Sequence, residues 1–192
     1  MTKEYNKLIL ITAPSGSGKT SIVNHLLKKY PQLTFSVSAT TRKPRGNEKE
    51  GVDYYFISEG EFKEKIHGKE FLEWEMVYEG KYYGTLKSEI ERIWSQKKVP
   101  VLDIDVQGAI HVQQQYPVNT MSLFIQAPSL EELRSRLKSR GSETEESLQA
   151  RLSKSSFEMT FKNYFENVII NKDFKVACLE ADKIIGIFLD SH

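Results

Sequence analysis

Gly16, Gly18, Lys19 and Thr20 stand together near the start of the chain, in the run A-P-S-G-S-G-K-T over residues 13–20. Residues of these types at this spacing can hold phosphate. Small residues let successive backbone N–H groups turn into one concavity that suits phosphate oxygens. The N-terminus of a following helix adds partial positive charge. Lys19 can reach the outer phosphates of a nucleotide, and Thr20 can place its hydroxyl on a metal ion. The candidate nucleotide-phosphate site is therefore Ala13, Pro14, Ser15, Gly16, Ser17, Gly18, Lys19, Thr20 and Ser21. One position departs from the G-x-x-x-x-G-K-[ST] pattern, because Ala13 stands where the first glycine belongs. Its Cβ resists positive φ, so the loop requires an extended backbone there. The plainer reading is a glycine-rich turn joining a strand to a helix. The lysine, the hydroxyl and the flanking elements together argue against it.

Other residues have chemistry to offer. Arg42 and Arg45 are three apart with Pro44 between them. Two guanidinium forks on a stiff loop make a clamp for a phosphate dianion, although a solvated basic turn would look the same. Tyrosines recur in D-Y-Y-F (53–56) and K-Y-Y-G-T (81–85). In F-L-E-W-E (71–75), strand alternation puts Glu73 and Glu75 on one face and Leu72 and Trp74 on the other. Glu73 is either a binding carboxylate or a solvated edge charge. Asp103 and Asp105 close the apolar run V-P-V-L-D-I-D, and on a strand both would face one way.

The elements that must position these groups are visible in the pattern. Residues 8–11, 33–37, 99–105, 121–126 and 167–171 read as strands, mostly apolar throughout, as in parallel strands buried on both faces. Helical patterns follow the phosphate loop to about Tyr30-Pro31 and span 86–97, 106–116, 129–140 and 173–189. Ser129-Leu130-Glu131-Glu132 has the capping-box form. Strands alternating with helices predict a three-layer α/β fold with a parallel five-stranded sheet. Two segments interrupt it. Residues 38–84, aromatic and charged, read as an inserted subdomain, and 139–151, polar and highly charged, as a lid. The core is then 1–37, 85–138 and 152–192. Insertions of this kind land at the carboxyl edge of the sheet, where open α/β sheets bind ligands.

Composition sets the bounds. The 192 residues fit one domain. With 27 Lys plus Arg against 26 Asp plus Glu, the net charge of +1 offers no general basic field for nucleic acid or an anionic membrane. The single cysteine, Cys178, excludes an internal disulfide framework and points to the cytoplasm. There is no apolar signal segment and no run of membrane-spanning length. The four histidines are scattered without metal-ligand spacing, so no protein-built zinc site is expected.

Taken together, A-P-S-G-S-G-K-T, T-T-R-K-P-R, D-Y-Y-F, F-L-E-W, Y-Y-G-T, V-L-D-I-D-V-Q-G and R-G-S-E-T-E-E-S resemble guanylate kinases, in the family's order and from about Leu8 to Leu189. The resemblance implies a P-loop nucleoside monophosphate kinase that moves the γ-phosphoryl group of ATP to GMP. It implies that Arg42, Arg45, Tyr54 and Tyr83 grip the GMP phosphate, and that Ser38, Glu73, Thr85 and Asp105 read guanine. Arg136, Arg140 and Arg151 match the lid arginines, catalytic with Lys19. Asn171 matches a position bordering the donor adenine. Mg²⁺ would sit at Thr20 and, through water, at Asp103. Chemistry agrees at Glu73: guanine donates from N1 and its 2-amino group, and one carboxylate can accept both. The clamp departs from the family in its order, Arg45-Gly46-Asn47-Glu48, where glycine usually directly precedes glutamate. Two other readings share some of these residues: a catalytically inactive guanylate-kinase-like module binding phosphopeptides, and a P-loop kinase for another phosphorylated acceptor. The first would have a degraded P-loop; the second would not need Glu73 and Ser38 together.

Overall fold

The computed structural model describes residues 6–139 and 145–191. In chain order the elements begin with β1 (Leu8–Thr12), α1 (Lys19–Lys29) and β2 (Leu33–Phe35). Next come β3 (Ala39–Thr40), β4 (Tyr55–Phe56), α2 (Glu59–His67), β5 (Phe71–Tyr78) and β6 (Lys81–Leu86). The chain continues through α3 (Lys87–Ser95), β7 (Val99–Asp103), α4 (Val106–Gln115), β8 (Thr120–Gln126) and α5 (Leu130–Lys138). It ends with α6 (Glu145–Met159), β9 (Asn167–Ile170) and α7 (Phe174–Asp190).

The main sheet is parallel and five-stranded, in the order β2-β7-β1-β8-β9. Its central strand β1 is buried at every residue. Alternation sends Ile9 and Ile11 to one face, where they meet Ile22 and Leu26 of α1 and Ala181 and Ile185 of α7. Leu8 and Leu10 go to the other, against Ile90 of α3 and Ala109 and Val112 of α4. A strand covered on both faces must be apolar throughout, which is why these segments read as continuous hydrophobic runs. Burying each such side chain stabilises the fold by roughly 1.5–3 kcal/mol.

The second sheet, β4-β3-β6-β5, is built from residues 39–86, two past the expected end of the insertion, with α2 packed on it. Phe62 of α2 stacks on Phe71 at 4.3 Å between ring centres. The sequence pattern gave no sign of α2, whose cap is Ser58 accepting from the Glu61 N–H at 3.1 Å. A nine-residue helix exposing all but one stripe carries little periodic signal.

Two further differences concern the edges of elements. Within 139–151, read from sequence as a polar lid, residues 145–151 are the start of α6. Leu148 is buried there against Leu133 and Leu137 of α5, so the segment has an apolar anchor. Strand β7 stops at Asp103, and Asp105 is the N-cap of α4 rather than a strand residue, its Oδ1 accepting from the Gly108 N–H at 2.7 Å. Ser129 caps α5 as expected, its Oγ accepting from the Glu132 N–H at 3.2 Å, while the Glu132 carboxylate pairs with Arg136.

Candidate active site

The carboxyl ends of β1 and β7 open into a cavity of about 560 Å³. Of the phosphate-loop residues, Ala13, Pro14, Ser15, Gly16, Gly18, Lys19, Thr20 and Ser21 line it, while Ser17 is buried beneath. Ala13 packs into the core and is not among the positive-φ residues, so the loop accommodates its Cβ. Gly18 caps α1 with φ of 92°. Its conformation suits glycine alone, and a Cβ there would run into the side-chain amide of Asn171. That amide donates to the Ser17 carbonyl at 2.8 Å, which braces the loop from below. Asn171 is thus under the loop, and its carbonyl accepts from Arg136 Nη2 at 2.9 Å. Lys19 Nζ is paired with the carboxylate of Asp103 and lies 3.5 Å from the Ile104 carbonyl.

The inserted segment contributes Ser38, Tyr54, Glu73, Glu75 and Tyr83 to the same lining, with Asp105 from the core. Glu73 is not a solvated edge charge. It is 7% exposed, and its Oε1 accepts from the Thr85 hydroxyl at 2.6 Å. Burial pushes its carboxyl up to about 7, with the nearby Asp105 carboxylate adding to the effect and the Thr85 hydroxyl opposing it. Thr85 is itself buried, one layer behind the cavity. Leu72 is buried and Trp74 exposed, although alternation puts the two on one face; the β5–β6 pairing shifts register between Phe71 and Glu73.

The arginine pair divides. Arg42 is 9% exposed and lies behind Tyr54 and Tyr83. Its guanidinium rests 4.7 Å from the Tyr54 ring centre and donates through Nε to the Tyr83 hydroxyl at 3.1 Å. The other side of the fork meets Glu48 at 2.6 and 2.7 Å. That carboxylate also accepts from the Arg45 N–H at 2.8 Å. The Arg42 bond and the Arg45 amide hold Glu48 down to about 2. Arg45 itself is exposed and is not brought to the cavity. The unusual Arg45-Gly46-Asn47-Glu48 order closes as a turn, Glu48 N–H to Arg45 carbonyl at 3.1 Å, with Gly46 at φ of 54°.

From α6, Arg151, Lys154 and Glu158 complete the lining. They are spaced i, i+3 and i+7, the spacing of one helix face. Recognising α6 from its sequence would have found the last two. Burial pushes the Glu158 carboxyl up, against the pull of Lys154 and Lys19. Arg136 lies outside the lining, tied to Glu132 at 2.8 Å. Arg140 lies outside the described residues. Glu48 was the other residue missed; its partner role depends on the loop's fold. No helix among the described residues is long and apolar enough to cross a membrane.

A family model described as guanylate kinase matches residues 5–186. A guanylate kinase of Bacteroides fragilis is 46% identical over 183 residues, covering 95% of this chain and 90% of that one. One from Porphyromonas gingivalis is 45% identical over 184 residues, covering 95% and 98%. Among solved structures, the crystal structure of guanylate kinase from Anaplasma phagocytophilum superposes with a TM-score of 0.77 at 29% identity, covering 98% of this chain and 89% of the other.

Proposed function

We infer the residue roles of this site from one premise: the chain belongs to the guanylate kinase family and is a nucleoside monophosphate kinase, an ATP:GMP phosphotransferase. One observation carries the reading. The phosphate loop and the buried carboxylate of Glu73 line a single cavity. A phosphate donor held at the loop and a purine acceptor held at Glu73 would then share that space with their phosphates between them.

On this reading residues 13–21 hold the ATP phosphates and Asn171 borders the adenine. Glu73, supported by Ser38, Thr85 and Asp105, accepts from guanine. Tyr54 and Tyr83 reach the GMP phosphate, with Arg42 and Arg45 supplying charge. Transfer from one phosphate to another needs no covalent intermediate, and the nucleophile is already an ionised oxygen, so no general base is required. Catalysis is then orientation plus neutralisation of charge on the transferring group. Lys19 supplies that charge from the loop, and Arg136, Arg140 and Arg151 from the lid side. The insertion 38–84 would close on the core and keep water from competing as acceptor.

Guanylate kinases generally use Mg²⁺ with ATP. The oxygen donors here suit a hard cation that keeps most of its waters: the Thr20 hydroxyl directly, and the Asp103 carboxylate through water. Both line the cavity beside Lys19. Bound there, the ion would offset phosphate charge. The near-neutral chain, its one buried cysteine and its bacterial relatives support a cytoplasmic enzyme working on free nucleotides.

Initial rates with GMP, dGMP, AMP, CMP, UMP and IMP at fixed Mg-ATP test the assignment. GMP should be the preferred acceptor by orders of magnitude over AMP, because adenine presents an acceptor at N1 and would leave Glu73 unpaired. Comparable rates with AMP would overturn it.

A further inference from the structure

Glu89 stands in the first turn of α3, and its side chain is 1% exposed. Nothing in the phosphate-transfer chemistry requires a carboxylate there. Its two oxygens nevertheless take four donors. Oε1 accepts from the Val37 N–H at 3.1 Å and from Arg92 Nη2 at 2.8 Å. Oε2 accepts from the Tyr55 hydroxyl at 3.0 Å and from Arg92 Nε at 2.8 Å. That exhausts the carboxylate's acceptor sites. Burial pushes Glu89 up, but Arg92, the Val37 amide and Tyr55 together hold it below the usual carboxylate range.

The donors come from three places. Val37 is the last core residue before the insertion, Tyr55 is in the insertion on β4, and Arg92 shares α3, which starts where the insertion returns. The bonds form a closed ring. Glu89 holds Val37; Val37 is followed by Ser38; the Ser38 carbonyl accepts from the Tyr55 N–H at 2.9 Å; and the Tyr55 hydroxyl returns to Glu89. The neighbours of the two held residues, Ser38 and Tyr54, both line the nucleotide cavity. Tyr54 immediately precedes β4, and adjacent extended residues point to opposite sides, so Tyr55 meets Glu89 while Tyr54 lines the cavity and packs against Arg42. Moving Tyr55 therefore moves Tyr54 and, through it, Arg42.

We propose that Glu89 is a positioning residue for the acceptor nucleotide, fixing the insertion on the core at Val37 and Tyr55 so that Ser38 and Tyr54 are presented to GMP. The proposal rests on the reading that the insertion binds GMP. An apolar residue like its neighbours Ile90 and Ile93 would fill the same space. It would leave the buried Val37 amide and the Tyr55 hydroxyl without this partner.

The experiment compares the full-length enzyme with Glu89→Ala, Glu89→Gln, Tyr55→Phe and, as a reference, Glu73→Gln. KM for GMP, KM for Mg-ATP and kcat are measured well below each variant's Tm. Misplacing binding groups by about 1 Å can cost on the order of a hundredfold. Glu89→Ala should therefore raise the GMP KM by on the order of tenfold, and Tyr55→Phe by about threefold, with the Mg-ATP KM within twofold of wild type. Tyr55→Phe added to Glu89→Gln should cost less than it does alone, because both cut the same ring. If Glu89→Ala does not fold, the Tyr55→Phe and Glu89→Gln pair decides the matter. A lower Tm with an unchanged GMP KM, or equal losses for GMP and Mg-ATP, would reduce Glu89 to a packing residue and overturn the proposal. If Glu73→Gln weakens GMP and the Glu89 series does not, this inference alone fails. If none of the four variants moves the GMP KM, the GMP-site reading itself fails.

Discussion

Glu73 and Thr85 face each other across adjacent strands β5 and β6, and the Thr85 hydroxyl donates to Glu73 Oε1 at 2.6 Å. One carboxylate oxygen thus has a fixed partner, and the orientation of the other follows. Oε2 lies close to Gly108 at the start of α4, where a Cβ would approach it to 2.8 Å. The carboxylate is thus bonded on the inserted sheet and crowded on its other oxygen by the start of α4, which limits its rotation.

That aim gives the first prediction. Glu73→Gln keeps the size of the side chain but can accept only at its single oxygen, so guanine loses one of two bonds to a charged acceptor. The KM for GMP should rise by the equivalent of roughly 2–4 kcal/mol, tenfold for each ~1.4, with Mg-ATP affinity little changed. IMP, lacking the 2-amino group, should be a poor acceptor for the unmutated enzyme and should lose less than GMP on substitution. Equal losses for the two acceptors would show that Glu73 does not read the 2-amino group.

The raised pKa of Glu73 makes stability depend on pH in a defined direction. The folded chain holds the proton up to about 7, whereas the unfolded chain releases it near 4.5. The folded state therefore binds more protons between these values, and this group's contribution falls as pH rises from about 4.5 through about 7. Gln is neutral throughout. Glu73→Gln should match wild type near pH 5 and be the more stable protein at pH 8, by as much as about 3 kcal/mol. Urea unfolding of both at the two pH values measures it. A wild-type advantage at pH 8 would mean that the carboxylate is well solvated or fully paired.

Lys19→Ala should leave the fold intact, because Lys19 makes its main contact with Asp103 at a partly open site. Removing one preorganised charge from the transferring group should cost on the order of 3 kcal/mol, a hundredfold or more in turnover. GMP binding measured by calorimetry without ATP should change little. Near-wild-type turnover would sink the loop's assignment.

Glu48 is the carboxylate that squares up the Arg42 fork and caps the Arg45 amide. Glu48→Gln leaves Arg42 one weaker partner and frees it to tilt away from Tyr83. Because the pair is partly exposed and screened, the GMP KM should rise only about threefold, with kcat unchanged. The effect should shrink as salt is raised. A change confined to kcat would contradict a role in holding the acceptor phosphate.

Some of this was present in the chain as a string. The phosphate loop is local: a buried strand, two small residues that accept positive φ, a lysine and a hydroxyl, all within one turn of α1. The main sheet was legible because a strand covered on both faces is apolar along its length, as residues 8–11 are. The order of motifs pointed to the family before any coordinate was known.

Tertiary structure decided what depends on residues far apart in sequence. Strand alternation allowed Glu73 to be a solvated charge; its burial comes from Thr85 on the next strand and Gly108 on a helix of the core. Asp105 belonged to a strand by its neighbours, yet the turn into α4 makes it a cap. Helix α6 was hidden because Glu145, Glu146 and Arg151 outweigh the periodic signal of Leu148 and Leu152. Nothing in the sequence marked Glu89, because only the folding of the insertion onto α3 brings Val37 and Tyr55 to it. Local spacing specifies which groups exist on which element. Burial and partner choice arise when elements separated by tens of residues pack, and those two quantities set a carboxylate's charge and aim.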